Sequence, residues 1–314
     1  MLYIGIARQL LEIGESCGLN AEGDAGHRPH VVTKLSSSRP VRSRRRPLQD
    51  CSRTAPTTPP DPPVTDTPQP RYAVYYAPPA ASRLWRLAQA WLGRDCESDE
   101  RLAQPALDGW TAEQIAAATE SPQHYGFHAT LKAPFRLAPG VSLRELHGKL
   151  AAFASLQQPF LAPPLKVSAI GPFIALTLSA PSSEMQALAA AAVQDFDGFR
   201  AAPASHDLER RLGKGLTPRQ QELLHLWGYP YVLEEFRFHM TLTGPLAETA
   251  RRERLQVQLA TFFGPALTEP VPVREISLYS QASAEGPFLL AERFRFGGAP
   301  AASDGHSGQE QTTA

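Results

Sequence analysis

One short pattern occurs twice in this chain, and it restricts the architecture more than any other feature. Tyr125–Phe135 (YGFHATLKAPF) aligns without gaps on Phe236–Leu246 (FRFHMTLTGPL), with identity at the Phe, His, Thr, Leu and Pro positions. His128 and His239 stand 111 positions apart, a separation that suits two halves of one domain. In a strand, successive side chains alternate between faces, so a His two residues before a Thr puts both on one face. Period two therefore groups His128, Thr130 and Lys132 in the first copy, and Arg237, His239, Thr241 and Thr243 in the second. The opposite faces carry Ala129 and Leu131, and Phe238, Met240 and Leu242. Strands of this kind are covered on one side and line a polar cleft on the other. A single H-x-T triplet is an ordinary core or surface feature; its repetition with matching flanks is not.

Two such strands facing each other offer two imidazoles and two hydroxyls to one ligand. A cyclic phosphodiester suits that set. Opening it needs a base that activates water and an acid that protonates the leaving oxygen, and imidazole, titrating near neutrality, serves either role. Which histidine takes which role stays open. Thr130 and Thr241 are placed to hydrogen-bond non-bridging oxygens, and Lys132 and Arg237 to offset the charge that builds there. Tyr125 and Tyr279 are aromatic candidates for stacking on a base or sugar, with core packing as the alternative. His124 reaches the cleft rim or simply ends a loop; His206, Arg210, Arg211 and Lys214 form a basic lid or a solvated connector. Gly213-Lys214-Gly215 lacks the G-x-x-x-x-G-K-[ST] spacing of a phosphate-binding loop. No carboxylate cluster suggests a metal, and no cofactor is expected.

Lys and Arg balance Asp and Glu at 31 each, so phosphate binding has to be local rather than driven by a global field. Cys17, Cys51 and Cys96 have neither zinc spacing nor an even count, which fits a reducing cytoplasm. No apolar run approaches the roughly 18 residues that span a bilayer. We expect a cytoplasmic monomer with a small phosphorylated substrate. Residues 1–70 hold 10 of the 30 prolines and the run Arg42-Ser43-Arg44-Arg45-Arg46, a composition that predicts a disordered extension. On this reading the working protein starts near Arg71, and residues 297–314 form a second disordered tail.

Between the tails the pattern alternates. Strands are predicted at Tyr72–Ala77, around His128, at Leu165–Ile170, Phe173–Ser179, Glu235–Thr243, Val271–Tyr279 and Phe288–Phe296. Helices are predicted at Arg83–Leu92, Thr111 to about Thr119, Ser142 to about Leu156, Ser183–Phe196, Thr217 to Leu226 and Glu248–Phe263. Short turns between neighbouring strands favour antiparallel pairing. The prediction is an α+β fold over residues 71–296. It has two pseudo-symmetric antiparallel lobes, outer helices and a central cleft.

The paired H-x-T strands resemble the 2H phosphoesterase superfamily, which includes 2′-5′ RNA ligase-like proteins. The blocks RYAVYYAPP (Arg71–Pro79), HYGFHATLKAPF (His124–Phe135) and LTPRQQELLHLWGYPYVLEEFRFHMTLTGPL (Leu216–Leu246) are similar to its DUF1045 branch, associated with phosphonate utilisation. The resemblance implies His128 and His239 as the catalytic pair, with Thr130 and Thr241 as phosphate-contacting hydroxyls. It also implies hydrolysis of a small cyclic phosphate, such as a ribose cyclic phosphate from phosphonate breakdown. Two rivals are an enzyme acting on 2′,3′-cyclic or 2′-5′ RNA ends and a non-catalytic phosphate- or nucleotide-binding module. The absence of clustered Lys and Arg in the folded part weighs against RNA.

Overall fold

The run RYAVYY at Arg71–Tyr76, rich in aromatic and β-branched residues, forms β1, whose side chains from Tyr72 onward are all buried. It is flanked on both sides by antiparallel partners, which its two-sided burial requires. The computed structural model describes residues 69–203, 205–213 and 215–297. Nearly all of the two expected disordered segments, with Cys17 and Cys51, lies outside the described residues. So do Lys214 and the side chains of His206 and Arg210.

After β1 come α1 (Arg83–Leu92), α2 (Ala112–Tyr125), β2 (Ala129–Phe135), α3 (Leu143–Leu156), β3 (Phe160–Ala162), β4 (Leu165–Ile170) and β5 (Phe173–Leu178). The second half contains α4 (Ser183–Asp195), α5 (Ser205–Leu212), α6 (Pro218–Trp227), β6 (His239–Thr241), α7 (Thr249–Phe263), β7 (Val271–Val273), β8 (Glu275–Gln281) and β9 (Leu289–Arg295). Seven strands make one antiparallel sheet in the order β4-β5-β6-β2-β1-β8-β9, and β3 pairs with β7 separately. The class is α+β, as expected. The two expected halves lie on either side of the β2–β6 seam and are continuous through it.

Local chemistry sets most helix starts. Thr111, Ser142 and Thr217 each close a capping box with the Gln or Glu three residues on, satisfying backbone donors that the first turn leaves open. Pro218 stands at the first turn of α6, where its missing N–H costs nothing. α4 packs over β2, α7 against β4 and β5, and α3 against β9. The main core includes Trp91, Phe127, Met240, Leu259 and Phe263, all essentially buried.

Several elements differ from the sequence reading, among them the expected strand Val271–Tyr279, which splits into β7, paired with β3, and β8, paired with β1 and β9. Helix α2 runs to Tyr125, past Pro122, although a proline there cannot donate to the carbonyl four residues back. That carbonyl, on Ala118, instead accepts the Gly244 N–H at 2.6 Å, so a distant loop supplies what the proline removes. The stretch read as a loop around Arg211 is helical (α5). The strand expected over Glu235–Thr243 shrinks to three residues, because Leu233–Glu235 turns as a 3-10 helix with Leu233 at φ 53°.

Candidate active site

The seam between the halves creates the site. β2 and β6 are antiparallel neighbours with Ala129 opposite Met240. Carried one residue either way, that register sets His128 across from Thr241 and Thr130 across from His239. Ala129 and Met240 point into the core, so the four polar side chains share the other face. Directly opposed residues have Cβ atoms about 5 Å apart, and diagonal ones about 7–8 Å, which is the relation between the two histidines. An approximate two-fold axis through the Ala129–Met240 pair thus turns a repeated sequence into a facing pair of catalytic candidates. His128, Thr130, His239 and Thr241 line one solvent-open cavity of about 450 Å³ with Pro122, Tyr125, Gly126 and Tyr229.

Both rings are oriented by the same device. His128 Nδ1 donates to the Gly126 carbonyl at 2.9 Å, and His239 Nδ1 donates to the Arg237 carbonyl at 2.8 Å. A carbonyl only accepts, so each neutral ring carries its proton on Nδ1 and leaves Nε2 for the cleft. His128 Nε2 lies 3.3 Å from Thr130 Oγ1, while Tyr75 stacks on the ring with centroids 3.6 Å apart at 12°. Phe173 packs more loosely against His239, at 6.1 Å. Burial pushes the His128 pKa down to about 3, with the carbonyl bond opposing and His239 adding a small push in the same direction. Burial also lowers His239, again opposed by its carbonyl. At pH 7 the two imidazoles are therefore neutral, each with a built-in acceptor that supports the charged form once a proton arrives.

Gly126 is required by geometry. It has φ 74° and ψ 171°, and a Cβ there would stand 2.7 Å from Cys96 Cβ and 2.9 Å from Cys96 Sγ.

Two residues expected on the cleft face are elsewhere, for one shared reason. Lys132 is buried and donates to the Val193 carbonyl and Asp197 Oδ1, both at 2.9 Å. Thr243 is also buried, its Oγ1 accepting the Ile174 N–H at 3.0 Å. In β2, Thr130 pairs with Tyr75 but Lys132 pairs with Val74, so one extra residue is accommodated. In β6, Thr241 pairs with Ala175, and the Leu242 and Thr243 N–H groups then both reach the Ile174 carbonyl. Each motif strand thus bulges immediately after its threonine. A bulge shifts the alternation by one and turns the following residue to the other face. The expectation that Lys132 and Thr243 face the cleft is corrected accordingly.

Tyr125 lines the cavity and stacks on Phe288 at 5.3 Å, and Tyr229, which the sequence reading missed, shares the lining. Arg237 is exposed and lines an adjoining cavity of about 370 Å³ with Tyr231 and Glu235, a cavity that also takes in Thr130 and His239 but not His128. The signal for Tyr229, Tyr231 and Glu235 lies within the block Leu216–Leu246, which carries the family resemblance but no repeated motif before Phe236. Tyr279 is core, donating to the Phe127 carbonyl at 3.1 Å. His124 faces Gln281 and Phe288 rather than the cleft. Arg211 bonds the Gly228 carbonyl at 2.5 Å. Among the described residues, no helix is long and apolar enough to cross a membrane, and no group of three or more His, Cys, Asp or Glu is arranged to hold a metal ion.

Comparison with known families gives a match of residues 130–289, just over half the chain, to the family described as "Protein of unknown function (DUF1045)". The chain belongs to the DUF1045 family. Two curated relatives of this family member are both called "Ribose 1,5-bisphosphate phosphokinase PhnN". The protein from Laribacter hongkongensis (strain HLHK9) is 41% identical over 226 residues, covering 70% of this chain and 50% of that protein. The one from Janthinobacterium sp. (strain Marseille) is 33% identical over 243 residues, covering 76% and 54%. The DUF1045 chain therefore spans about half the length of the curated relatives it matches. Among solved structures, E. coli LigT complexed with 3′-AMP aligns at 15% identity and TM-score 0.33, covering 73% of this chain and 98% of that one. LigT in apo form aligns at the same identity and coverage with TM-score 0.35.

Proposed function

We propose that the cleft hydrolyses a small cyclic phosphate by general acid–base catalysis, with His128 and His239 as the proton-transferring pair. The observation that carries this is the matched presentation of the rings, each tied through Nδ1 to the carbonyl two residues before it and each lining one cavity with Thr130 and Thr241. With the phosphate between the strands, one neutral Nε2 takes a proton from water as the water oxygen bonds to phosphorus. The ring on the other side, protonated under the influence of the phosphate charge, gives its proton to the leaving oxygen as the P–O bond breaks. The product is a phosphomonoester, and solvent returns the pair to its starting state. Opposed placement suits in-line displacement, and the two hydroxyls supply donors to the non-bridging oxygens.

The relatives' names introduce ribose 1,5-bisphosphate as a substrate of those proteins. This chain aligns with only half of each and has no G-x-x-x-x-G-K-[ST] run, so the cleft is read as a separate activity on the same class of pentose phosphates. Resemblance to the phosphonate-linked branch supports a role for that reaction in phosphonate breakdown.

A panel of cyclic phosphates and RNA ends, assayed in EDTA, tests the reading. Ribose cyclic phosphate should turn over, and His128→Ala and His239→Ala should each lower the rate by about two or more orders of magnitude while circular dichroism stays unchanged. Near-full activity in either variant would refute the pair. Turnover confined to RNA ends, or tight binding without turnover, would support the RNA-processing or binding-module reading instead.

A further inference from the structure

The histidine cavity accounts for a phosphoryl group but not for what that group is attached to. The adjoining cavity shares Thr130, Tyr229 and His239 with it, so the two are contiguous. Its wall contains a carboxylate, which is unexpected beside an anion site, because a like charge there opposes binding unless it has a partner on the ligand.

That carboxylate is Glu235, half-buried and held through Oε2 by Gln220 Nε2 at 3.0 Å. Gln220 is fixed in turn, since its own Oε1 closes the capping box at Thr217 N at 3.1 Å. The anchor is rigid and uses one oxygen of the two. Among the described residues, the other oxygen has no hydrogen bond and the group no ion pair, whereas neighbouring Glu234 is paired with Arg219. The influence of Glu235 is instead felt at Tyr231, whose phenol is pushed up to about 12 by burial and then by this charge, with Arg237 opposing. Glu235, Tyr231 and Arg237 line the same cavity. Arg237 is exposed and makes no ion pair among the described residues. It precedes His239 by two positions, and both residues line this cavity.

We propose that this second cavity is a sugar-recognition pocket: Glu235 accepts hydrogen bonds from ring hydroxyls of a phosphorylated sugar, and Arg237 pairs with a second anionic group on the same molecule. The proposal rests on the phosphoesterase reading above and assigns the part of the substrate that does not react. A carboxylate only accepts, so it selects hydroxyl donors. A guanidinium only donates, so it selects an anion beyond the ring. A site built to bond a hydroxyl discriminates strongly against the analogue that lacks it.

The test is calorimetric titration of the full chain with inorganic phosphate, ribose 5-phosphate, 2-deoxyribose 5-phosphate and ribose 1,5-bisphosphate. Ribose 5-phosphate should bind about tenfold tighter than either phosphate or the deoxy sugar, with the bisphosphate tighter still. Glu235→Gln keeps an acceptor for Gln220 and should abolish discrimination against the deoxy sugar, while loss of the like charge should leave inorganic phosphate binding as tight as in the parent or tighter. Arg237→Leu should remove only the extra gain of the bisphosphate. Equal binding of ribose and deoxyribose phosphates by the parent protein, or discrimination that survives Glu235→Gln, would overturn the sugar pocket while leaving the phosphoesterase reading standing. If the parent protein bound no phosphate at all, both would fall.

Discussion

Replacing Gly126 with alanine tests how the fold delivers His128 to the cleft. The Gly126 carbonyl is the acceptor that fixes His128 Nδ1, so strain here reaches the chemistry through one hydrogen bond. Its φ 74°, ψ 171° conformation lies in a region essentially reserved for glycine, and a side chain there costs about 1–3 kcal/mol. The added Cβ would also meet Cys96 Cβ at 2.7 Å and Sγ at 2.9 Å, an overpacking worth about 1–3 kcal/mol more. Together these predict a loss of about 2–6 kcal/mol, a large share of a typical domain's stability. Gly109 provides the control: its φ is 73°, and an added Cβ would have nothing within 4 Å, so Gly109→Ala should cost only about 1 kcal/mol. Urea unfolding of both variants, with m-values compared to the parent, measures the difference. Activity at a permissive temperature should fall for Gly126→Ala and hold for Gly109→Ala. Equal, small losses in the two variants would show that Gly126 is not the keystone of the histidine's placement.

Lys132→Met should destabilise by about 1–3 kcal/mol, because the Val193 carbonyl loses its donor. Asp197 keeps Arg200 at 2.9 Å, and kcat/KM should stay within about twofold, since the bulge turns this side chain away from the cleft. Thr243→Val strands the buried Ile174 N–H and should likewise cost about 1–3 kcal/mol in urea without changing KM. The histidines make stability pH-dependent: burial holds the folded His128 pKa near 3, against about 6.5 in the unfolded chain. Between those values the unfolded state binds more protons, so stability falls as pH drops from about 6.5 towards 3, by at most about 1.4 kcal/mol per pH unit for this group. His239 acts in the same direction. A pH series of unfolding midpoints should therefore be flatter in His128→Phe, and identical slopes would refute a desolvated, neutral ring.

Much of the architecture is legible in the sequence because it is local. Capping boxes at Thr111, Ser142 and Thr217 announce three helices, and the apolar faces Ala129/Leu131 and Met240/Leu242 read correctly as core. Where period-two reasoning fails, it fails at the two bulges, which depend on how Val74 and Ile174 meet the motif strands rather than on any residue within them. The end of α2 escapes local reasoning because Gly244, more than a hundred residues away, satisfies the carbonyl that Pro122 leaves open.

Read alone, the chain yields two His-x-Thr motifs in strand-like runs, the apolar character of Ala129, Leu131, Met240 and Leu242, and an antiparallel α+β class. These follow from side-chain alternation, propensity and repetition, which are properties of the chain read a few residues at a time. Folding in three dimensions makes the strands neighbours in one sheet, sets each histidine across from the other strand's threonine through the Ala129–Met240 register, and turns Lys132 and Thr243 inward. It also brings Glu235, Tyr231 and Arg237 into one cavity with His239. Those outcomes depend on pairing and on polar groups satisfied across long sequence distances, and no local pattern encodes them.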